Sequence, residues 1–156
     1  MEAGGRPLKR WERALVYGAL GCAAEVAFTG VTRGFSRSRR DRRLKGHSYL
    51  WMLPIYAVAA YLFEPLHDAL DARVVWKRAT VYAAAIMAVE CATGTTLRLM
   101  TGSIPWDYTG HSRFAVARGA VRLDYAPVWA FAGLALEQVH DALRAARVGV
   151  VDRRDV

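Results

Sequence analysis

The chain has 156 residues, one domain's worth, and combines a 54% hydrophobic composition with a formal net charge of +8, so its apolar and basic residues must be segregated. Cys22 and Cys91 each sit in mid-stretch and read as small hydrophobes, which excludes a disulfide framework. The basic residues carry no aromatic interleaving and no recognition motif, so no nucleic-acid partner is expected.

Four apolar stretches follow in chain order: Ala14–Thr32, Tyr49–Leu66, Ala79–Met100 and Tyr125–Leu143. Each approaches the ~20 residues needed to cross a hydrocarbon core. The expectation is an all-α, four-helix transmembrane bundle forming a single integral membrane domain, with helices at roughly 12–33, 48–72, 77–100 and 123–146. The first stretch follows a basic start (Arg6, Lys9, Arg10, Arg13), as in a signal peptide. It is long for one, however, contains Glu25 and lacks a small-x-small cleavage site. Ala19-Leu20-Gly21-Cys22 matches a lipoprotein box only in part. Between helices 1 and 2, the basic loop 34–47 carries Arg37-Ser38-Arg39-Arg40-Asp41-Arg42-Arg43-Leu44-Lys45, which suits a surface attracted to anionic lipid. Lysines and arginines number eleven on each side of the membrane, so the positive-inside rule leaves the orientation tied. The density of the first loop favours a cytoplasmic placement for it, and a bacterial inner membrane is the expected location.

The chain repeats itself. A shift of 65 residues lays Arg13 to Tyr17 on Arg78 to Tyr82, Glu25 on Glu90 and Arg33 on Arg98. A shift of 73 lays Pro54 on Pro127, Glu64 on Glu137 and His67-Asp68-Ala69-Leu70 on His140-Asp141-Ala142-Leu143. The chain therefore reads as two duplicated helical hairpins. Each returns to its starting side, which implies a pseudo-two-fold axis along the membrane normal.

Within these stretches the acids run Glu25, Glu64-x-x-His67, Glu90, Glu137-x-x-His140, the ligand order of a four-helix di-iron carboxylate site. Residues three apart share a helix face, so each Glu and His can ligate together. Ionised carboxylates in hydrocarbon cost at least a few kcal/mol, and two divalent ions would balance four of them. Oxygen-rich ligation with imidazole suits iron, with manganese as the alternative. Glu25, Glu64, His67, Glu90, Glu137 and His140 are the candidate ligands, and Asp68 and Asp141 the candidate partners behind them. Thr29 and Thr93 are placed to hydrogen-bond the lone acids. Tyr17 and Tyr82, with Tyr56 and Tyr61 behind them, could supply a redox-active phenol. The depths match imperfectly, by about two helical turns. Two alternatives stand beside this reading: a b-type haem between His67 and His140, and a salt-bridge network of the acids with membrane arginines such as Arg98 and Arg122.

Cys22-Ala23-Ala24-Glu25-Val26-Ala27-Phe28-Thr29, Glu90-Cys91-Ala92-Thr93-Gly94, Pro105-Trp106-Asp107-Tyr108, Leu123-Asp124-Tyr125-Ala126-Pro127-Val128-Trp129 and Leu136-Glu137-Gln138 occur in this order. From about Tyr17 to Leu143 the chain resembles the transmembrane protein 229 family and its bacterial ABC-transporter permease-like (CmpB-like) relatives. The resemblance implies a small multi-pass membrane protein with Glu25, Glu64, Glu90, Trp106, Asp107, Tyr108 and Glu137 at matching positions, and its most specific part is the Trp-Asp-Tyr loop followed by an acid, here Asp124, before helix 4. It implies no reaction, and the paired histidines are not a hallmark of the family.

Two functions follow as expectations. The first is an O2-dependent oxidoreductase acting on a membrane lipid or quinone through two iron ions, with the Trp106-Asp107-Tyr108 loop (101–122) capping the bundle. The second is a transport, channel or lipid-handling protein whose polar core takes up a cation or head group, with no nucleotide-binding domain of its own and room for a homo-oligomer.

Overall fold

The structure, a computed structural model, describes residues 5–35, 43–70 and 73–149. It is mostly helical: β1 (Gly5–Pro7), α1 (Arg10–Phe35), α2 (Met52–Ala57), α3 (Ala59–Leu70), α4 (Val75–Thr101), β2 (Ala115–Val116), β3 (Val121–Arg122), α5 (Ala126–Ala145) and β4 (Arg147–Gly149). Single 3-10 turns occupy Ala117–Gly119 and Leu123–Tyr125. Helices lie in all four expected stretches, but the second is two short helices end to end. They meet at Val58, whose carbonyl accepts from both Tyr61 and Leu62. In the basic loop, Arg37, Arg39, Arg40, Asp41 and Arg42 lie outside the described residues, as do Arg153 and Arg154 of the tail; Arg43 and Lys45 are exposed.

Local chemistry sets the helix ends. Glu12 takes the Lys9 backbone N–H at 2.7 Å, three residues back, as in a capping box, and Arg6 forks onto the same carboxylate. α4 ends at Gly102 (φ 80), whose N–H returns to the Arg98 carbonyl at 2.9 Å. Pro127 falls in the first turn of α5, where its missing N–H costs nothing.

The contacts divide the chain into two units, Met1–Leu66 with Ala142–Val156, and His67–Asp141. In the first, α1 packs on α2 so closely that a Cβ at Gly21 would lie 2.3 Å from the Tyr56 ring. The chain after the basic loop runs back against α1, where Thr29 Oγ1 accepts the His47 N–H at 2.9 Å. β1 and β4 pair antiparallel, Gly5 opposite Gly149, and join the chain ends, a contact the sequence did not announce.

In the second unit α4 and α5 run antiparallel, with Trp129 beside Glu90 and Glu137 beside Arg78. Between these contacts, Gly133 admits Tyr82: a Cβ there would lie 2.3 Å from the Tyr82 Cβ. Overpacking of this kind costs about 1–3 kcal/mol. Gly133→Ala is therefore expected to lower stability by that amount in a thermal or denaturant melt, and an unchanged melt would mean that the helices are not this close. β2 and β3 form a small hairpin on the loop, turned by Ala117, Arg118 and Gly119 with φ of 51°, 54° and 86°. Beneath it, Ile104, Ala120 and Val121 pack with Met87, Cys91 and Trp106.

Two helices, Arg10–Gly34 and Val75–Thr101, are long and apolar enough to cross a membrane. In each, only 22% of the apolar window is buried. The core helix of a soluble protein buries most of such a window, whereas Leu15, Leu20, Phe28, Val31, Leu99 and Met100 point outward here. Of the four expected spans, α1 and α4 are the ones long and apolar enough to cross a membrane among the described residues. α3 is short and holds Glu64, Pro65, His67 and Asp68, and α5 holds Glu137, His140, Asp141 and Arg144.

Candidate metal centre

The two His-Asp words lie near the C-terminal ends of α3 and α5, and in the second unit they meet. The rings of His67 and His140 pack edge to face with centroids 4.8 Å apart. Each imidazole faces the aspartate that follows the other: His67 Nε2 lies 3.8 Å from Asp141 Oδ1, and His140 Nε2 lies 3.8 Å from Asp68 Oδ1. Both histidines are buried, while the Asp68 and Asp141 side chains are 48% and 65% exposed, which leaves the cluster open on one side. Ligand atoms of His67, His140 and Asp141 all lie within 4.8 Å of one another.

Hydrogen bonds fix the ring state of His67. Tyr82 donates its O–H to Glu137 Oε1 at 2.8 Å, since a carboxylate can only accept. Having spent its proton there, the Tyr82 oxygen accepts from His67 Nδ1 at 3.0 Å. Arg78 completes the chain: its Nη2 donates to Glu137 Oε2 at 3.2 Å, and its Nε sits 2.9 Å from Oε1 as an ion contact too bent for a hydrogen bond. With a proton on Nδ1, Nε2 is the nitrogen that His67 turns towards Asp141. An imidazole nitrogen facing a carboxylate is stabilised by a cation between them, either a proton or a metal ion. Holding the far nitrogen of a histidine in this way is how proteins orient metal ligands.

The glutamates are placed differently from expectation. Glu64 is fully buried, and Arg13 grips it from the side, Nε to Oε1 and Nη2 to Oε2, both at 2.6 Å, with Arg10 at 3.7 Å. Glu25 accepts from Ser48 Oγ at 2.6 Å and the Tyr56 O–H at 3.3 Å. Glu90 accepts from Trp129 Nε1 at 3.0 Å and the Tyr108 O–H at 3.4 Å. Glu25 and Glu90 stand twelve residues along their helices from Arg13 and Arg78, about 18 Å at 1.5 Å per residue. Within each unit, therefore, the lone acid and the acid of the second helix sit at different depths, and the six expected ligands do not gather at one point. The charges of Glu64 and Glu137 are met by arginine. The repeat is visible in these contacts: Arg13–Glu64 with Glu25–Tyr56 in one unit, Arg78–Glu137 with Glu90–Trp129 in the other.

Further expectations change with this geometry. Arg98 and Arg122 serve the loop, pairing with Asp107 and Asp124. Thr29 and Thr93 donate to backbone carbonyls one turn back, leaving the carboxylates to other donors. Edge-to-face contact of the histidine rings leaves no gap for a porphyrin between them. Tyr17 is buried and Tyr61 exposed beneath Arg10. In the loop, Trp106 donates to the Ala120 carbonyl at 3.0 Å. Thr109 hydrogen bonds, the side chain's first and the backbone's second, hold the Asp107 carboxyl below the ordinary aspartate range; the Arg122 guanidinium does the same for Asp124. What sequence reasoning passed over is the role of Arg13 and Arg78, although both lay inside the repeated segment.

The convergent donors, two imidazoles and the Asp141 carboxylate, fit a single divalent ion. A two-histidine, one-carboxylate set with open positions suits iron(II). No protein family, curated protein or solved structure matches this chain.

Proposed function

We propose that the chain is an integral membrane metalloprotein in which all four helical stretches cross the bilayer and the duplicated His-Asp words hold one divalent transition-metal ion. The reading rests on one observation, the gathering of ligand atoms of His67, His140 and Asp141 within 4.8 Å of one another, with His67 held from behind by Tyr82, Glu137 and Arg78. His67, His140 and Asp141 would hold the ion, with Asp68 beside His140; iron(II) is the first choice and manganese the second. When bound, such an ion supplies a Lewis acid and a redox couple, and we assign the site to O2-dependent oxidation of a lipid or quinone. Asp141 would offset part of the ion's charge, and both Asp68 and Asp141 face water. Glu137 and Tyr82 hold the imidazole proton on Nδ1, and the outward apolar faces of α1 and α4 lie open to membrane-borne substrates.

Metal analysis by mass spectrometry on purified protein tests the reading. One iron or manganese per chain is expected, retained in Glu25→Gln and Glu90→Gln. A metal-free protein that melts cooperatively would reject it.

A further inference from the structure

α4 begins beside an open groove. It has a volume of about 380 Å³ and is lined by Leu70, Arg73, Trp76, Lys77, Thr80 and Val81. Positions 73, 76, 77, 80 and 81 are related by steps of three and four residues, and so share one face at the start of the helix. The lining is carbon for the most part: Leu70 is half-buried, Val81 is exposed and Trp76 is 66% exposed.

Two cations share the groove. Arg73 precedes the helix, and Lys77 stands in its first turn with Nζ 5.3 Å over the Trp76 ring. Both are exposed, and neither meets a carboxylate among the described residues. The first turn of α4 holds no acid, and Asp71 lies outside the described residues. Arg78, next along, is spent on Glu137.

This combination calls for a ligand with an anionic end and an apolar one. Arginine forks onto phosphate oxygens, and a lysine ammonium over a ring face still has donors to turn outward. Beyond Lys77 the outward surface of α4 stays apolar, with only 22% of its apolar window buried. Tryptophan beside basic residues at the head of such a helix is what the membrane–water interface selects. A free anion would leave Trp76 and Val81 wet, and a headgroup with its own ammonium would bring a third positive charge.

We infer that this groove binds one anionic phospholipid, with its phosphate on Arg73 and Lys77 and an acyl chain along Trp76 and Val81. Basic pockets at the ends of transmembrane helices take anionic headgroups in this way. The inference rests on the membrane-crossing reading of α4 and uses neither the metal nor its ligands.

Native mass spectrometry of the full chain in neutral maltoside detergent is the test, with phosphatidylglycerol, phosphatidylcholine and inorganic phosphate as the probes. One phosphatidylglycerol per chain is expected to bind at least about tenfold more tightly than phosphatidylcholine, a margin that two basic side chains at a lipid surface supply. Inorganic phosphate should not displace it. Arg73→Gln with Lys77→Gln should remove the preference. Lys45→Gln with Arg113→Gln takes the same two charges from exposed positions elsewhere and should keep it. Trp76→Ser should weaken both lipids, because the chain loses its wall. Equal binding of the two lipids, displacement by phosphate, equal loss in the two double variants, or unchanged binding in Trp76→Ser would overturn the inference. A chain that stays monodisperse without detergent would overturn the membrane reading along with it; a detergent-bound chain without the preference overturns the inference alone.

Discussion

Arg13→Met is expected to destabilise the protein by about 3–5 kcal/mol, the cost of stranding one partner of a buried ion pair. Glu64 is fully buried and receives two 2.6 Å hydrogen bonds from Arg13, so its charge loses its principal neutralisation. Arg10 remains, but at 3.7 Å and half-exposed it compensates poorly. The double variant Arg13→Met, Glu64→Met removes both charges and should recover most of the loss, because an apolar pair of similar volume needs no desolvation. Arg78→Met should follow the same course to a smaller degree, its side chain being 19% exposed. By contrast, the exposed Arg122–Asp124 pair is worth roughly 1 kcal/mol or less. Denaturant melts in detergent measure all four. A loss in Arg13→Met no larger than in Arg122→Ala would show that Glu64 is not held as described.

The second large effect concerns His67 and His140. Loss of a partner behind a metal ligand typically weakens binding about 10–100-fold, so His67→Ala or His140→Ala, which removes the ligand itself, is expected to cost at least the upper end of that range. Tyr82→Phe should fall within it, since His67 Nδ1 then loses its acceptor and the ring its preferred tautomer. Competitive titration against a chelator of known affinity gives the values. If both histidine variants bind metal as tightly as the parent, the ion is held elsewhere.

Much of this was legible in the residues. The repeats Arg13-Ala14/Arg78-Ala79 and Glu64-x-x-His67/Glu137-x-x-His140 marked the elements that carry the polar contacts. The apolar runs marked α1 and α4 to within a few residues of Arg10–Phe35 and Val75–Thr101. Depth was not legible. A three-residue spacing fixes which face of a helix a side chain occupies, but not which residue of the neighbour stands opposite. In an antiparallel hairpin, placing Tyr56 beside Glu25 leaves Glu64 eight residues further on, about 12 Å away, within reach of the long Arg13 side chain that starts about 18 Å from Glu25. Counting acids alone therefore suggested convergence, and only the arginines already in the repeat could have argued against it. The aspartates after the histidines looked like supporting groups because sequence does not show that each faces the other repeat's imidazole. The break at Val58 and the pairing of β1 with β4 depend on tertiary contacts that no local pattern carries.

X-ray absorption at the metal edge of the purified protein is the most direct measurement of the central claim. One ion with two imidazole nitrogens in its first shell, carboxylate oxygens beside them and no second metal nearby is the expected spectrum. A metal–metal vector at about 3.5–4 Å, or an ion without imidazole scattering, would contradict it.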